Sequence, residues 1–278
     1  TFDFRQSLFV IVLGYFCYLA FWVFLIVSVS ALLKTSTQSL SVLLGFWIIA
    51  VVLMPRLAGA YASTSVPTPS HIETTLRIAE AMRSEGDSHD IDDSAFVDLR
   101  TRTLAEYGVE SIEDLPFNYR GFVALQGEEA DTEVLNNFAE ERMVQELEQK
   151  SAADQFSVLS PIVALRAFSM TLAGTALQDH HHFLRAAEDY RYNMVQTFNR
   201  LQMSAMTLAD DLARNSSAAS NQRTRIDSSN WSQMPVFELP PLAHEQRWQA
   251  ASLAGISLGL WLLAGFLLLL FAARRLRL

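Results

Sequence analysis

Residues 7–33 read SLFVIVLGYFCYLAFWVFLIVSVSALL, a run from Ser7 to Leu33 without one acidic or basic side chain. A hydrocarbon core roughly 30 Å thick is crossed by about 20 apolar residues of helix, so this run spans a bilayer unaided. Beyond a short polar link, Lys34-Thr35-Ser36-Thr37-Gln38, a second uncharged run extends from Leu40 to Met54. It is shorter. Its continuation through Pro55 and Arg56 into Leu57-Ala58-Gly59-Ala60-Tyr61-Ala62 carries a kinked helix to the interface while the Arg56 side chain reaches toward water. A third uncharged run, Ala250 to Ala273, is again long enough to span.

These three runs divide the chain. Half of its residues are hydrophobic, yet it carries 21 basic and 30 acidic side chains. The two populations are segregated along the sequence. The expected fold is an all-α membrane protein, with three transmembrane helices and an α-helical extracytoplasmic domain. Residues 1–62 hold two of the spans, about 7–33 and 39–60, around a short cytoplasmic link. Residues 63–246 form the extracytoplasmic domain. Residues 247–278 are the last span and a short basic cytoplasmic tail.

The side assignment rests on basic residues near the spans: Lys34 in the link, and Arg274, Arg275 and Arg277 at the C-terminus, are placed in the cytoplasm. Arg5 and Arg56 on the outer side run against that rule. The first span then runs outside to inside, which leads to the expectation that a further segment precedes Thr1 and brings the N-terminus across the membrane.

Of the 30 acidic residues, all but Asp3 lie between positions 63 and 246. So acidic a segment does not suit nucleic acid. The lone cysteine, Cys17, falls inside the first span, so the outer segment has no disulfide and depends on its own packed core. That absence fits a bacterial envelope better than a eukaryotic cell surface.

Within the outer segment the apolar spacing is helical, with no alternating run suited to a sheet. Ser70 opens a helix near 71–84 that stops at Gly86. Asp92 or Asp93 caps a second one running to Tyr107, with Gly108 as its stop and a loop from Val109 to Pro116. A long polar helix follows from about Asn118 to Asp154, its apolar side carried by Phe122, Leu125, Val134, Phe138 and Leu147. Leu159-Ser160-Pro161 then announces an apolar helix to about Gly174, whose one charge is Arg166. The next helix, roughly 179–213, has the clearest period in the chain: Phe183, Ala187, Tyr190, Met194, Phe198, Leu201, Ala205, Leu208 and Leu212. Asn215 to Pro241 is an irregular connection, mobile or laid over the domain surface, into a last helix beginning near Leu242.

Chemistry is sparse. The sequence holds no Walker phosphate loop, no His-Glu-x-x-His, no Cys pair and no nucleophile elbow, which argues against an enzyme with its own ATPase motif. No catalytic, cofactor-binding or metal-ligating residue is assigned. Asp179-His180-His181-His182 is the one cluster of metal-ligand types. Neighbouring histidines on a helix diverge, so the favoured reading is Asp179 in a first helical turn, where the dipole suits it, with the histidines as polar surface; a metal site is the alternative. Glu128-Glu129 and Glu140-Glu141 read as solvated helix faces. Arg166 either lies at lipid headgroup level or, the slightly favoured reading, pairs with a carboxylate inside the domain.

The run Leu32 to Pro55, two spans around a short basic-polar turn with Pro-Arg at its outer end, resembles the fourth and fifth spans of ABC type-2 permeases. The outer segment resembles the large helical insert of uncharacterised function that a bacterial subfamily carries before its last span. The matching phrases are Tyr107-Gly108-Val109 with Asp114-Leu115-Pro116, then Leu159-Ser160-Pro161 through Ala164-Leu165-Arg166 to Leu172-Ala173-Gly174-Thr175, then Phe183 through Tyr190. This resemblance covers nearly the whole chain, as the C-terminal half of such a permease.

It implies the permease subunit of an ATP-driven exporter in the bacterial inner membrane. The implied partners are a separate ABC ATPase subunit that uses the ATP, a second permease subunit, identical or not, and the bilayer. Within this chain the link Lys34, Thr35, Ser36, Thr37 and Gln38 is the piece placed to face the ATPase, and the helix 159–174 lies at the outer membrane surface, as short helices before the last span do in that family. Two other classes stay open: a membrane-anchored sensor of an extracytoplasmic ligand, and a metal-binding or assembly factor.

Overall fold

The computed structural model describes residues 4–213 and 226–276. Among these residues every regular element is helical, and the fold is that of an all-α membrane protein. Among the described residues three helices are long and apolar enough to cross a membrane, Arg5–Leu32, Ser36–Ser65 and Glu245–Arg275. By contacts the chain forms two compact units. The first comprises the chain up to Thr68, Met143–Phe183 and the chain from Pro240 on; the second comprises Pro69–Arg142 and Leu184–Leu239. The stretch 143–183 therefore groups with the apolar helices.

In the first unit, helix α1 (Phe4–Leu32) is followed after a three-residue break by α2 (Ser36–Trp47), a π-helical turn (Ile48–Leu53) and α3 (Met54–Ser65). The π turn is where the sequence suggested a kink. Proline at position 55 has no N–H to give the preceding turn, and the helix absorbs the lost bond by widening, with Met54 N–H donating five residues back to Ile49 O. The second span is thus one continuous path of helix that starts three residues before the expected position 39.

Helix α6 (Tyr119–Asp154) and helix α8 (Leu177–Ala205) contribute to both units, their sequences crossing the boundaries at Arg142 and Phe183. Between them lies α7 (Pro161–Ala173), with Ser160 accepting from Val163 N–H as N-cap, proline in its first turn, and Gly174 at φ +70 as its left-handed stop. Helix α10 (His244–Arg275) completes the first unit.

Its core is set by small residues. Ala164, Leu165, Phe168 and Leu172 of α7 pack on Ala251, Ala254 and Leu258 of α10 and on Val10, Ile11 and Tyr18 of α1. The Phe168 ring lies between two glycines: a Cβ on Gly14 would stand 2.6 Å from its Cε1, and one on Gly255 3.1 Å from its Cε2. Farther along, Phe21, Trp22, Phe46 and Trp261 form a cluster of edge-to-face and tilted rings 5.2–6.3 Å apart. Meanwhile Phe9, Phe16, Leu40 and Ile256 point outward, as lipid-facing side chains do.

In the second unit, α4 (His71–Glu85) is capped by Ser70 and stopped at Gly86, and α5 (Val97–Tyr107) ends on left-handed Gly108. Asp93, not Asp92, is the cap before α5, accepting from Ala95 N–H at the head of a single 3-10 turn. Phe96, Leu115, Tyr119 and Val123 form the buried cluster here. Phe122, expected to lead the apolar side of the long helix, is only part-buried beside them.

The helix expected over 179–213 is two helices. It breaks at Met206 and Thr207, where the Thr207 hydroxyl accepts from Asp210 N–H and opens α9 (Leu208–Leu212). Leu208 and Leu212 therefore leave the stripe they extended in the sequence. Of the connection expected over 215–241, residues 214–225 lie outside the described residues. The rest runs along α8: Trp231 stacks on Phe198 at 4.7 Å, Phe237 meets Tyr190 at 5.5 Å, and Tyr190 Oη donates to Pro235 O at 2.9 Å. The last helix begins two residues after Leu242. Arg277 of the basic tail lies outside the described residues.

Candidate functional site

In the first unit, several polar side chains meet where the end of α6 and the starts of α8 and α10 come together. Asp179 sits in the first turn of α8. Its carboxylate accepts from Ala176 N–H at 3.3 Å, satisfying one of the amides a helix start leaves open, and takes the Arg247 guanidinium of α10 at 2.8 Å. The helix-start reading of Asp179 is what the structure shows. The same Arg247 lies against Gly174, where a Cβ would come within 3.2 Å of it.

The three histidines go separate ways. His180 is exposed. His181 is 1% exposed, and its Nε2–H donates to Glu146 Oε2 of α6 at 2.8 Å. His182 Nε2–H donates to Pro240 O at 2.5 Å. The expectation that all three are polar surface is corrected for His181, because α8 turns that position toward α6, where an acceptor carboxylate makes burial of an imidazole tolerable. Among the described residues no three His, Cys, Asp or Glu groups gather in a way that could hold a metal ion.

One turn farther along α6, Lys150 and Asp154 form an ion pair across one helical turn. They line one wall of a cleft of about 360 Å³, together with Ser151, Gln155 and Gln178; Leu147 and, on α10, Ala250, Leu253 and Ala254 supply its apolar wall. A charged pair facing an apolar helix surface can seat a molecule that carries both characters. The sequence did not single out this cleft, because Lys150 and Asp154 read simply as a helix-face pair, and α10 lies nearly 100 residues away.

The link Lys34–Gln38 is exposed throughout. Only its first two residues are non-helical: Thr35 caps α2 by accepting from Gln38 N–H at 3.3 Å, and Ser36, Thr37 and Gln38 are already the first turn. Arg166 is exposed on α7 and has no carboxylate partner among the described residues, which corrects the pairing inside the domain. It sits opposite the face that packs on α1 and α10, so no acid reaches it.

Of the paired glutamates of α6, Glu128, Glu140 and Glu141 have arginine partners in the second unit, and Glu129 is exposed. Glu128 takes Arg191 of α8 at 2.8 Å, while Arg191 also holds Glu188 at 2.7 Å, and these carboxylates keep the guanidinium charged by raising its already high proton affinity. Glu140 holds Arg185 and Glu141 holds Arg77 at 3.4 Å, both at exposed positions. Burial, followed by the charges of Glu128 and Glu85, pushes the Asp131 carboxyl above its usual value. Burial likewise raises the Tyr119 phenol.

Residues 71–239, more than half of the chain, match the family model of a domain of unknown function, DUF3526. No curated protein and no solved structure matches the chain.

Proposed function

We propose, from the premise that this chain belongs to the DUF3526 family, that it is the permease subunit of an ATP-driven ABC transporter of the exporter type. It forms part of a membrane path and relies on a separate ATPase subunit and a second permease subunit. In this reading the chain lies in the bacterial inner membrane, with the link around Lys34 on the cytoplasmic side and the polar stretches 69–142 and 184–239 outside.

The observation that carries the reading is the seat of α7. One apolar helix is enough to anchor a domain. Here three membrane helices are present, and a short apolar helix is wedged by Phe168 between α1 and α10, beside a cleft with one charged and one apolar wall. Such a bundle suits a path better than an anchor. The resemblance of the two spans around Lys34 to type-2 permeases points the same way, and the sequence contains no phosphate-binding loop, so the energy is assigned to another chain.

Co-purification of the full-length protein in mild detergent, with identification of the bound chains and assay of ATP hydrolysis, tests this. A stoichiometric ATPase is the expected result. If no nucleotide-binding chain is retained under gentle conditions, the transporter reading lacks a motor and falls.

A further inference from the structure

A buried hydroxyl at the head of α7 reaches the middle of the second span. Ser160 Oγ donates to Ala50 O at 2.6 Å, with Ser160 fully buried and Ala50 2% exposed. What matters is which carbonyl it reaches. In α-helical register Ala50 O would accept from Met54 N–H, but that group is turned to Ile49 O. In the π register of this turn, the donor to Ala50 O would be the nitrogen of residue 55, and residue 55 is proline, with no hydrogen to give. Both donors from its own helix are lost. The Ser160 hydroxyl, arriving from 110 residues along the chain, replaces them.

The same oxygen accepts from Val163 N–H at 3.3 Å as the N-cap of α7. One atom therefore closes the first turn of α7 and the open carbonyl of the second span, so that neither element can shift without breaking the other's bond. We propose that Ser160 is a latch, and that Ile48–Leu53 is a two-register switch which the latch holds in the π form.

A π turn holds one residue more than the α register needs, and its release rotates the helix beyond it by about 100° and moves it by about 1.5 Å along the axis. In the latched register α3 turns its small residues Ala58 and Ala62 inward and leaves Leu57 and Tyr61 outside. A rotation of that size presents a different, bulkier face of α3 to its neighbours. The switch couples movement of α7 to rotation of the outer part of the second span, and it stands on this geometry whether or not the chain serves a transporter.

The test is hydrogen–deuterium exchange of the full-length protein in lipid nanodiscs, followed on peptides covering residues 48–58. Ser160→Ala is expected to speed exchange there about tenfold, since it uncovers a buried carbonyl and loosens the turn. In a Pro55→Ala background, residue 55 regains an N–H to offer, and the same Ser160→Ala change is expected to alter exchange less than about twofold. Ser160→Thr, which keeps the hydroxyl, should leave exchange as in the wild type. Pro55→Ala alone, should Ser160→Ala fail to fold, is expected to slow exchange across residues 49–54. Equal acceleration by Ser160→Ala in both backgrounds would reduce Ser160 to a helix cap and overturn the latch. So would unchanged exchange in the Pro55→Ala variant.

Discussion

The two units of this protein solve the same packing problem with opposite chemistry. In the unit containing the apolar helices, the outward surface is as hydrophobic as the interior, and tight contact is made by small residues and hydroxyls: Gly14 and Gly255 around Phe168, Gly265 against Phe21, and Ser160 on Ala50 O. Where lipid covers the outside, burial of oil no longer distinguishes inside from outside, and close approach of backbones takes over. The other unit is held by buried amides and a carboxylate. Asn118 donates its backbone N–H to Met203 O and its Nδ2 to Asp211 Oδ2, Gln202 reaches the same oxygen at 2.6 Å, and Gln196 and Asn199 donate to the carbonyls of Leu125 and Ala124. Such networks can hold a helical unit together because a buried polar group is tolerated only where it finds a partner.

Five substitutions break this contrast at graded depth. Asp211→Ala strands the Asn118 and Gln202 amides in a site where Asp211 is 1% exposed, and should cost the second unit about 3 kcal/mol, read as a lower denaturant midpoint of the detergent-solubilised protein. Gly121→Ala comes next: its Cβ would stand 2.5 Å from the backbone nitrogen of Met203, and α6 and α8 must part to admit it, at about 2–3 kcal/mol in the same measurement.

Gly14→Ala meets a side chain instead, the Phe168 ring at 2.6 Å, which can tilt. A loss of about 1–2 kcal/mol is expected in the first unit, seen as a lower thermal midpoint in detergent, with Gly255→Ala milder at 3.1 Å. Should Gly14→Ala prove neutral, small-residue packing is not what seats α7.

The smallest effect is a gain, and its pH dependence identifies its cause. Asp131 has a folded-state pKa raised by burial first and by Glu128 and Glu85 next. A carboxyl of this kind contributes stability below its unfolded pKa and loses it as pH rises through the folded one, so at neutral pH the wild type carries a penalty. Asp131→Asn is expected to raise the thermal midpoint by about 1–3 °C at pH 7. The gain should vanish below about pH 4, where both states of the wild-type carboxyl are protonated. A gain that persists at low pH would place its origin outside the carboxyl charge.

Much of the fold was readable from residues alone. Uncharged length marks a span because the bilayer fixes how much helix is required, and Ser-Pro before an apolar run, or glycine after one, marks a boundary because caps and stops are local chemistry. Thr207 was a cap hidden inside an unbroken stripe: Leu208 and Leu212 kept the period, and the period outweighed the cap. The surface reading of His181 and the carboxylate pairing of Arg166 failed for a related reason. Neither the Glu146 carboxylate that makes burial of His181 tolerable nor the face of α7 on which Arg166 falls is set by neighbours in sequence. The cleft at Lys150 and Asp154 had no signal in the sequence, since its apolar wall comes from α10.

By itself, then, the sequence determined the membrane class, the helical content, the three spans and most helix ends, all of which follow from composition and from spacing within a few turns. It also placed a disturbance at Pro55. Only the tertiary structure decided what form that disturbance takes, a π turn whose open Ala50 carbonyl is closed by a hydroxyl 110 residues away. The physical reason is that a missing N–H is a local fact, whereas the donor that replaces it must be brought there by packing.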